Sequence, residues 1–344
     1  MTFESVGTMD LAPAQLNSGL RGGVMPTMDA AGISTGQAFL VSELEKRDTL
    51  VRTPLTSFTY GRDIPVRVGG GWDEFVSALS VDYGITGGSG AGLIQAPGVD
   101  GIPMAQANFD KEVFKTHIVA MGTRVNWVDM QRGNMTGRNL DTLLRDGLRL
   151  AYDKHLDENV YTGFSAIGTT GLVNNAGVTA ATVAVGSGGY TAWSTKTADE
   201  ILLDINTAII DAWEAAEYDR DAIPNHVLIP YDQYNLIATT KVSSAADKTI
   251  LQYLLDNNIA KANGQDLFIG ATAFCKGAGT GSTDRMVVYC NKEKYVCMDE
   301  LAPLTRALTS TNTEHFCYDT AYAANVSEVE IHYDGKTMIY ADGI

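Results

Sequence analysis

Histidine, cysteine, serine and clustered carboxylates are the side chains here that could do chemistry, and each set fails on spacing or context. The five histidines, His117, His155, His226, His315 and His332, are scattered and form no H-x-x-x-H pair that would bring two imidazoles onto one helical turn. The four cysteines, Cys275, Cys290, Cys297 and Cys317, lack C-x-x-C spacing and fall in strand-like runs. Buried reduced thiols are therefore the preferred reading over a disulfide framework or a metal knuckle. Asp153, His155, Asp157 and Glu158 crowd together in sequence, but on a helix only Asp153 and Asp157, at i and i+4, share a face, as on a solvated charged surface. One G-x-S-x-G match, Gly32-Ile33-Ser34-Thr35-Gly36, has the letters of a serine hydrolase's nucleophile elbow. An elbow needs a strand before it and an Asp and a His behind a sheet, whereas this stretch reads as a small-residue turn in an unpatterned segment. The run 333–337, YDGKT, resembles the end of a phosphate-binding loop, yet the position that must be glycine is Glu330, whose carboxylate repels phosphate. No G-x-G-x-x-G sits between a strand and a helix, so dinucleotide binding has no support. No catalytic, cofactor-binding or metal-ligating set is assigned, and no cofactor is expected.

Positioning is thus the more informative question. The chain has 344 residues, more than one core usually serves, so two lobes with extended arms are expected. With 45% hydrophobic and 19% charged residues it has the apolar content of a folded protein. Its net charge of −16 and lack of any Lys/Arg run disfavour specific nucleic-acid recognition, although an acidic wall can still enclose a polyanion. The N-terminus lacks a signal-like pattern and no run of eighteen apolar residues occurs, so a soluble protein made in a cytoplasm, without membrane partners, is expected.

Residues 1–34 show no sustained period and read as an arm, followed by a helical pattern at 37–47. Phe58, Tyr60, Ile64, Val66 and Val68 alternate as one strand would. After the ambiguous 72–84, alternation returns, with Ala105, Ala107, Phe109 and Val113 facing one way and Gln106, Asn108, Asp110 and Glu112 the other. The Gly/Pro-rich stretch between them reads as the tip of a protruding two-stranded loop, which is marginal alone and needs a surface to lie on.

A long helix is expected over 139–161, with Asn139 as N-cap. Leu140, Leu143, Leu144, Leu148 and Ala151 form its narrow apolar stripe, and Arg145, Arg149, Asp153 and Asp157 its charged side. At 1.5 Å per residue it spans about 35 Å, the width of a small domain. Thr197 and Glu200 form a T-x-x-E capping box ahead of a second helix lined by Ile201, Leu202, Ile205, Ile209 and Ala212. A buried strand at 226–229 leads to two more helices, the second with Ile250, Leu251, Leu254 and Leu255 inward. Strands at 266–274, 285–290 and 294–298 read as a central sheet, and the last residues as a hairpin on Asp334-Gly335. The fold class is α+β.

The succession FTYGRDIPV, GWDEFVSALSVDYG, IPMAQANFDKEVFKTHIVAMGTRVNWV, the long helix, YTGFSAIGTTGLVN, PNHVLIPYDQYNLIATT and YLLDNNI resembles the major capsid proteins of tailed bacteriophages, with the Hong Kong 97 fold. The resemblance covers nearly the whole chain after about residue 35. It implies an N-terminal arm at 1–50, a peripheral-domain strand at 51–68 and an extended loop at 69–118. It further implies a peripheral domain at 119–194 with the 139–161 helix as its spine, an axial domain at 195–304 and a return to the peripheral domain at 305–344. The loop's contacts with other subunits would then come from Trp72, Phe75, Ile94, Ile102, Met104, Phe109 and Val113. The implied function is self-assembly into an icosahedral shell of hexamers and pentamers around a double-stranded DNA genome, without sequence-specific binding. Portal, scaffold or decoration proteins would be its partners, the virion capsid its location and the host bacterial cytoplasm its place of assembly. An encapsulin-like shell around a cargo enzyme is the alternative within the fold, and a hydrolase using Ser34 the alternative outside it. No scaffold-like segment is expected ahead of the arm. Lys111 and Lys115 lie on the loop that some relatives cross-link, but no partner asparagine is identifiable and no cross-link is expected.

Overall fold

The longest strand covers 104–126, and its two halves have different neighbours. The computed structural model describes residues 54, 56–86, 104–135, 140–243 and 247–344, and those from Ser57 to Ile344 belong to one compact unit. The expected arm with its helix at 37–47, Ser34, the loop tip with Ile94 and Ile102, and Asn139 lie outside the described residues.

Numbered in chain order, the first sheet contains β1 (Val66–Val68), β2 (Phe75–Thr86), β3 (Met104–Asn126), β8 (Val296–Asn312) and β9 (Cys317–Ile331), in the order β1-β8-β9-β3-β2. The second contains β4 (Thr179–Thr182), β5 (His226–Ile229), β6 (Phe268–Ala271), β7 (Arg285–Tyr289) and β10 (Met338–Asp342), in the order β4-β10-β7-β5-β6. The helices are α1 (Tyr60–Asp63), α2 (Trp127–Met135), α3 (Leu140–Tyr161), α4 (Ala198–Ala215), α5 (Tyr231–Thr239), α6 (Ile250–Asp256) and α7 (Ile259–Ala262). Among the described residues no helix is long and apolar enough to cross a membrane.

The second sheet is apolar on both faces because both are covered. Leu228, Val287, Tyr289, Met338 and Tyr340 point into a core shared with Leu156 and Val160 of α3 and with Met298 and Val326 of the first sheet. Their alternate neighbours Val227, Ile229, Val288 and Ile339 pack with Ile201, Ile205 and Ile209 of α4. The expected capping box of α4 forms, with Thr197 accepting from the Glu200 N–H and Glu200 accepting from the Thr197 N–H at 2.8 Å. Proline 303 is accommodated because it falls within one of several register shifts between β8 and β9, where the ladder is already interrupted.

α3 lies on β3 and β9, but its buried face is not the expected stripe. Leu148 is buried, Leu140 and Leu144 are half-buried, and Leu143 and Ala151 are exposed. The seam is carried by Leu148, Tyr152, Leu156 and Val160 at four-residue spacing, with Asn159 donating to the Ser327 carbonyl at 2.9 Å. Aromatic and polar residues in the seam hide it from a search for leucines. Asp157, assigned to the solvated side, is buried and accepts the N–H groups of Thr59 (2.9 Å) and Tyr60 (3.1 Å) at the start of α1.

The end of α3 explains the Tyr-Thr-Gly that stops it. Gly163 has φ +63°, which glycine adopts without strain. The chain then folds back so that the N–H groups of Leu172 and Val173 reach the carbonyls of Val160 and Tyr161 at 2.8 and 3.0 Å. A Cβ at Gly171 would meet the Tyr161 carbonyl carbon at 2.4 Å, so that approach requires glycine.

Four further expectations are corrected. Residues 58–68 are not one strand but a helical turn, α1, followed by the three residues of β1. The 294–298 strand opens β8 of the first sheet and does not join β6 and β7. Leu255 is exposed on α6. The C-terminal residues form no hairpin: Tyr333, Asp334 and Gly335 all have positive φ, and the turn sends the chain from β9 in one sheet to β10 in the other.

Candidate assembly surface

Between Phe75 and Lys115, β2 and β3 pair with each other in unbroken antiparallel register, Phe75↔Lys115 through Thr86↔Met104. From Thr116 onward β3 pairs with β9. The ribbon therefore leaves the sheet at a definite point, marked by the Lys115 N–H donating to Glu328 Oε1 at 2.8 Å. Its entry is fixed by Asn325, whose Nδ2 donates to the carbonyls of Gly71 (3.2 Å) and Asp73 (3.0 Å).

The register puts Phe75, Leu79, Val81, Tyr83, Phe109 and Val113 on one face. Leu79 and Phe109 are each 75% exposed and Tyr83 83%, so a continuous apolar strip stands in solvent on the single chain. Lys111 and Lys115 project from the same face, opposite Leu79 and Phe75. Monomeric proteins rarely leave such strips uncovered. Of the expected contact residues, Phe75, Phe109 and Val113 share this face, Trp72 is exposed just before β2, and Met104 is exposed on the other face. Leu79, Val81 and Tyr83 were not singled out in the sequence because Ser77, Ala78 and Ser80 blur the period of β2.

The other face turns back toward the body and walls a groove of about 510 Å³ where ribbon and sheet diverge. Cys297 and Glu330 face each other across β8 and β9, and His332 follows one residue after the end of β9. The Cys297 Sγ is 3.6 Å from His332 Nε2 and 3.7 Å from Glu330 Oε2, and Nε2 and Oε2 are 3.8 Å apart. The ribbon's Glu112 places Oε2 3.2 Å from His332 Nδ1, and Phe114 meets the same imidazole edge-on. Ser327 donates to Glu330 Oε1 at 3.2 Å, and Arg67 donates from Nη2 to Oε2 at 2.8 Å and from Nε to Asp299 at 2.5 Å. Burial, with Asp299 nearby, pushes Glu330 up to about 7. Burial likewise raises the Cys297 thiol to about 12. All four cysteines are buried and free, as expected. The grouping was not legible in the sequence, because one partner comes from 33 residues away; the usable signal was E-x-H in a strand, two donors on one face.

His155 is not on a solvated face either. It stacks on Phe164 and its Nε2 lies 3.2 Å from His117 Nε2 beneath the ribbon's root.

A sequence profile described as "Major capsid protein" matches residues 90–344, well over half of the chain. Among solved structures, the chain is similar to the capsid of Myoviridae phage XM1, with a TM-score of 0.73 and 16% identity over 94% of this chain and 100% of that one. It is similar to the capsid of a native GTA particle, with a TM-score of 0.61 and 11% identity over 93% and 99% of the two chains. Microbacterium phage Oxtober96 is matched at a TM-score of 0.59 and 12% identity over 89% and 98%. No curated protein matches the chain. A fold shared along its length with phage capsid chains, and a family profile matched across every element from β3 onward, place this chain in the major capsid protein family, the shell-forming structural proteins of the virion.

Proposed function

We propose that the chain builds the icosahedral head of a tailed bacteriophage, assembling through hexamers and pentamers in the host bacterial cytoplasm and enclosing double-stranded DNA. The observation that carries this reading is the ribbon: its strip of Phe75, Leu79, Val81, Tyr83, Phe109 and Val113 has no cover among the described residues of its own subunit. Each large apolar side chain fully buried on a neighbour contributes about 1.5–3 kcal/mol, so a few contacts repeated around a shell make a strong wall. The net charge of −16 fits a container that holds DNA without reading its sequence.

In this reading residues 1–50 are an arm and the β2–β3 ribbon is the extended loop. Residues 119–194, with α3 as spine, are the peripheral domain, 195–304 with α4–α7 the axial domain, and 305–344 the return to the peripheral domain. Portal, scaffold or decoration proteins are the further partners of such a shell. The test is electron microscopy of the expressed protein with nuclease protection of its contents. Closed particles holding double-stranded DNA in infected cells are expected. Particles filled with protein cargo would overturn the genome role, and a species confined to one or two copies would overturn the shell.

A further inference from the structure

The Cys297, Glu330 and His332 cluster at the ribbon's root has the donor types and spacing of a metal centre. A tetrahedral zinc centre, with bonds of about 2.3 Å to sulfur and about 2.0–2.2 Å to nitrogen or oxygen, holds its ligand atoms roughly 3.3–3.6 Å apart. The three separations here are 3.6, 3.7 and 3.8 Å. We propose that Cys297 Sγ, Glu330 Oε2 and His332 Nε2 bind one thiophilic divalent cation, zinc by its donor set, which ties the ribbon to the body of the subunit.

Three observations support this beyond the spacing. Cys297 and Glu330 sit directly opposite on paired strands, and the N–H of His332, one residue past β9, donates to the Tyr295 carbonyl at 3.0 Å, so the backbone holds all three in place. His332 has Glu112 at its far nitrogen, 3.2 Å away, the carboxylate–imidazole pairing that leaves Nε2 as the lone-pair donor. Ser327 occupies the other oxygen of Glu330 and leaves Oε2 turned toward the cluster. Glu330 and His332 line the groove, from which water would take the fourth position.

Arg67 is the opposing charge, since its Nη2 contacts the same Oε2. Its side chain is 40% exposed and keeps Asp299 as partner, so it can withdraw as the cation enters. Binding replaces the thiol proton of Cys297, which passes to solvent, and no electron is transferred. Because Glu112 belongs to β3 while Cys297 lies on β8, Glu330 on β9 and His332 just past the end of β9, an occupied site couples the direction of the ribbon to the sheet it leaves. This inference concerns the single subunit and does not depend on the shell reading.

The experiment uses the purified full-length protein, stripped with a chelator and titrated with Co²⁺ and then Zn²⁺. One cobalt per chain is expected, with a thiolate charge-transfer band and d–d bands of tetrahedral intensity that zinc abolishes. Cys297→Ser and His332→Ala are each expected to lose the tetrahedral spectrum, with circular dichroism as the check on folding. Glu112→Gln is expected to bind about 10–100-fold more weakly while keeping the band. A weak octahedral spectrum in the folded wild-type protein overturns the proposal, as does a thiolate band that survives in folded Cys297→Ser. The wild-type spectrum alone decides if the variants fail to fold.

Discussion

Arg285 and Asp342 form a buried bidentate pair, Nε to Oδ1 at 2.7 Å and Nη2 to Oδ2 at 2.9 Å, while Nη1 donates to the Val173 carbonyl at 2.6 Å. Burial would raise the Asp342 carboxyl, but the guanidinium and the Thr280 N–H hold it below the ordinary value. Removing one partner strands the other's charge, so Asp342→Ala should destabilise the unassembled subunit by about 3–5 kcal/mol in chemical denaturation. A loss below about 1 kcal/mol would show that Arg285 finds another partner. His117 supplies a pH dependence. Burial, and to a smaller extent the neighbouring His155, lowers it to about 4 from the 6.5 of a free histidine. As pH falls from about 6.5 to about 4 the unfolded chain takes up a proton that the folded chain refuses, so stability declines across that window and not above it. His117→Phe should lose less stability than the wild type over the same range; parallel losses would mean the imidazole titrates freely. Neither group was legible beforehand, since Asp342 sits in an apolar-looking terminal run and the partner of His117 is 38 residues away. What local spacing could show, the Thr197/Glu200 box and the reduced thiols, needed no distant partner.

At the scale of elements, the outer half of β3 was readable because Ala105, Ala107, Phe109 and Val113 alternate with Gln106, Asn108, Asp110 and Glu112, and β2 was not because small residues interrupt it. The long helix was readable in extent and only partly in orientation: Leu148 was placed correctly, whereas Tyr152, Asn159 and Val160 join the seam through contacts that a leucine count does not register. Leu148→Asp buries a charge against the sheet and should cost several kcal/mol, leaving insoluble protein. Soluble mutant of normal assembly would place the seam elsewhere. The ribbon predicts the opposite behaviour. Leu79→Asp with Phe109→Asp changes residues that touch little of their own subunit, so folding stability should move by no more than about 0.5 kcal/mol per site while assembly is lost. Circular dichroism and sedimentation velocity read the two effects separately, and a variant that still assembles would remove the strip from the interface. Deleting 87–101 carries the same expectation: a folded subunit that fails to close particles. An unfolded deletion would make that segment part of a core.

At the scale of the whole molecule, the α+β class and the order of segments were legible, because both follow from period and punctuation. Sheet membership was not. β10 follows β9 after a short turn yet pairs with β7 and β4, and β8 starts soon after β7 yet joins the other sheet. Those choices are made by the shared core, where Val287 and Tyr340 of one sheet meet Met298 and Val326 of the other, and no local pattern encodes that meeting. The shared core joins the two sheets of the described body, whereas the ribbon's apolar strip finds no cover among the described residues and, in the shell reading, is buried on another copy. Cryo-electron microscopy of particles formed by the purified protein tests this most directly. The account predicts closed shells in which the Phe75–Leu79–Phe109 face of each ribbon is buried on an adjacent subunit. Shells in which that face stays in solvent, or a protein that remains a single copy with the ribbon folded onto its own body, would contradict it.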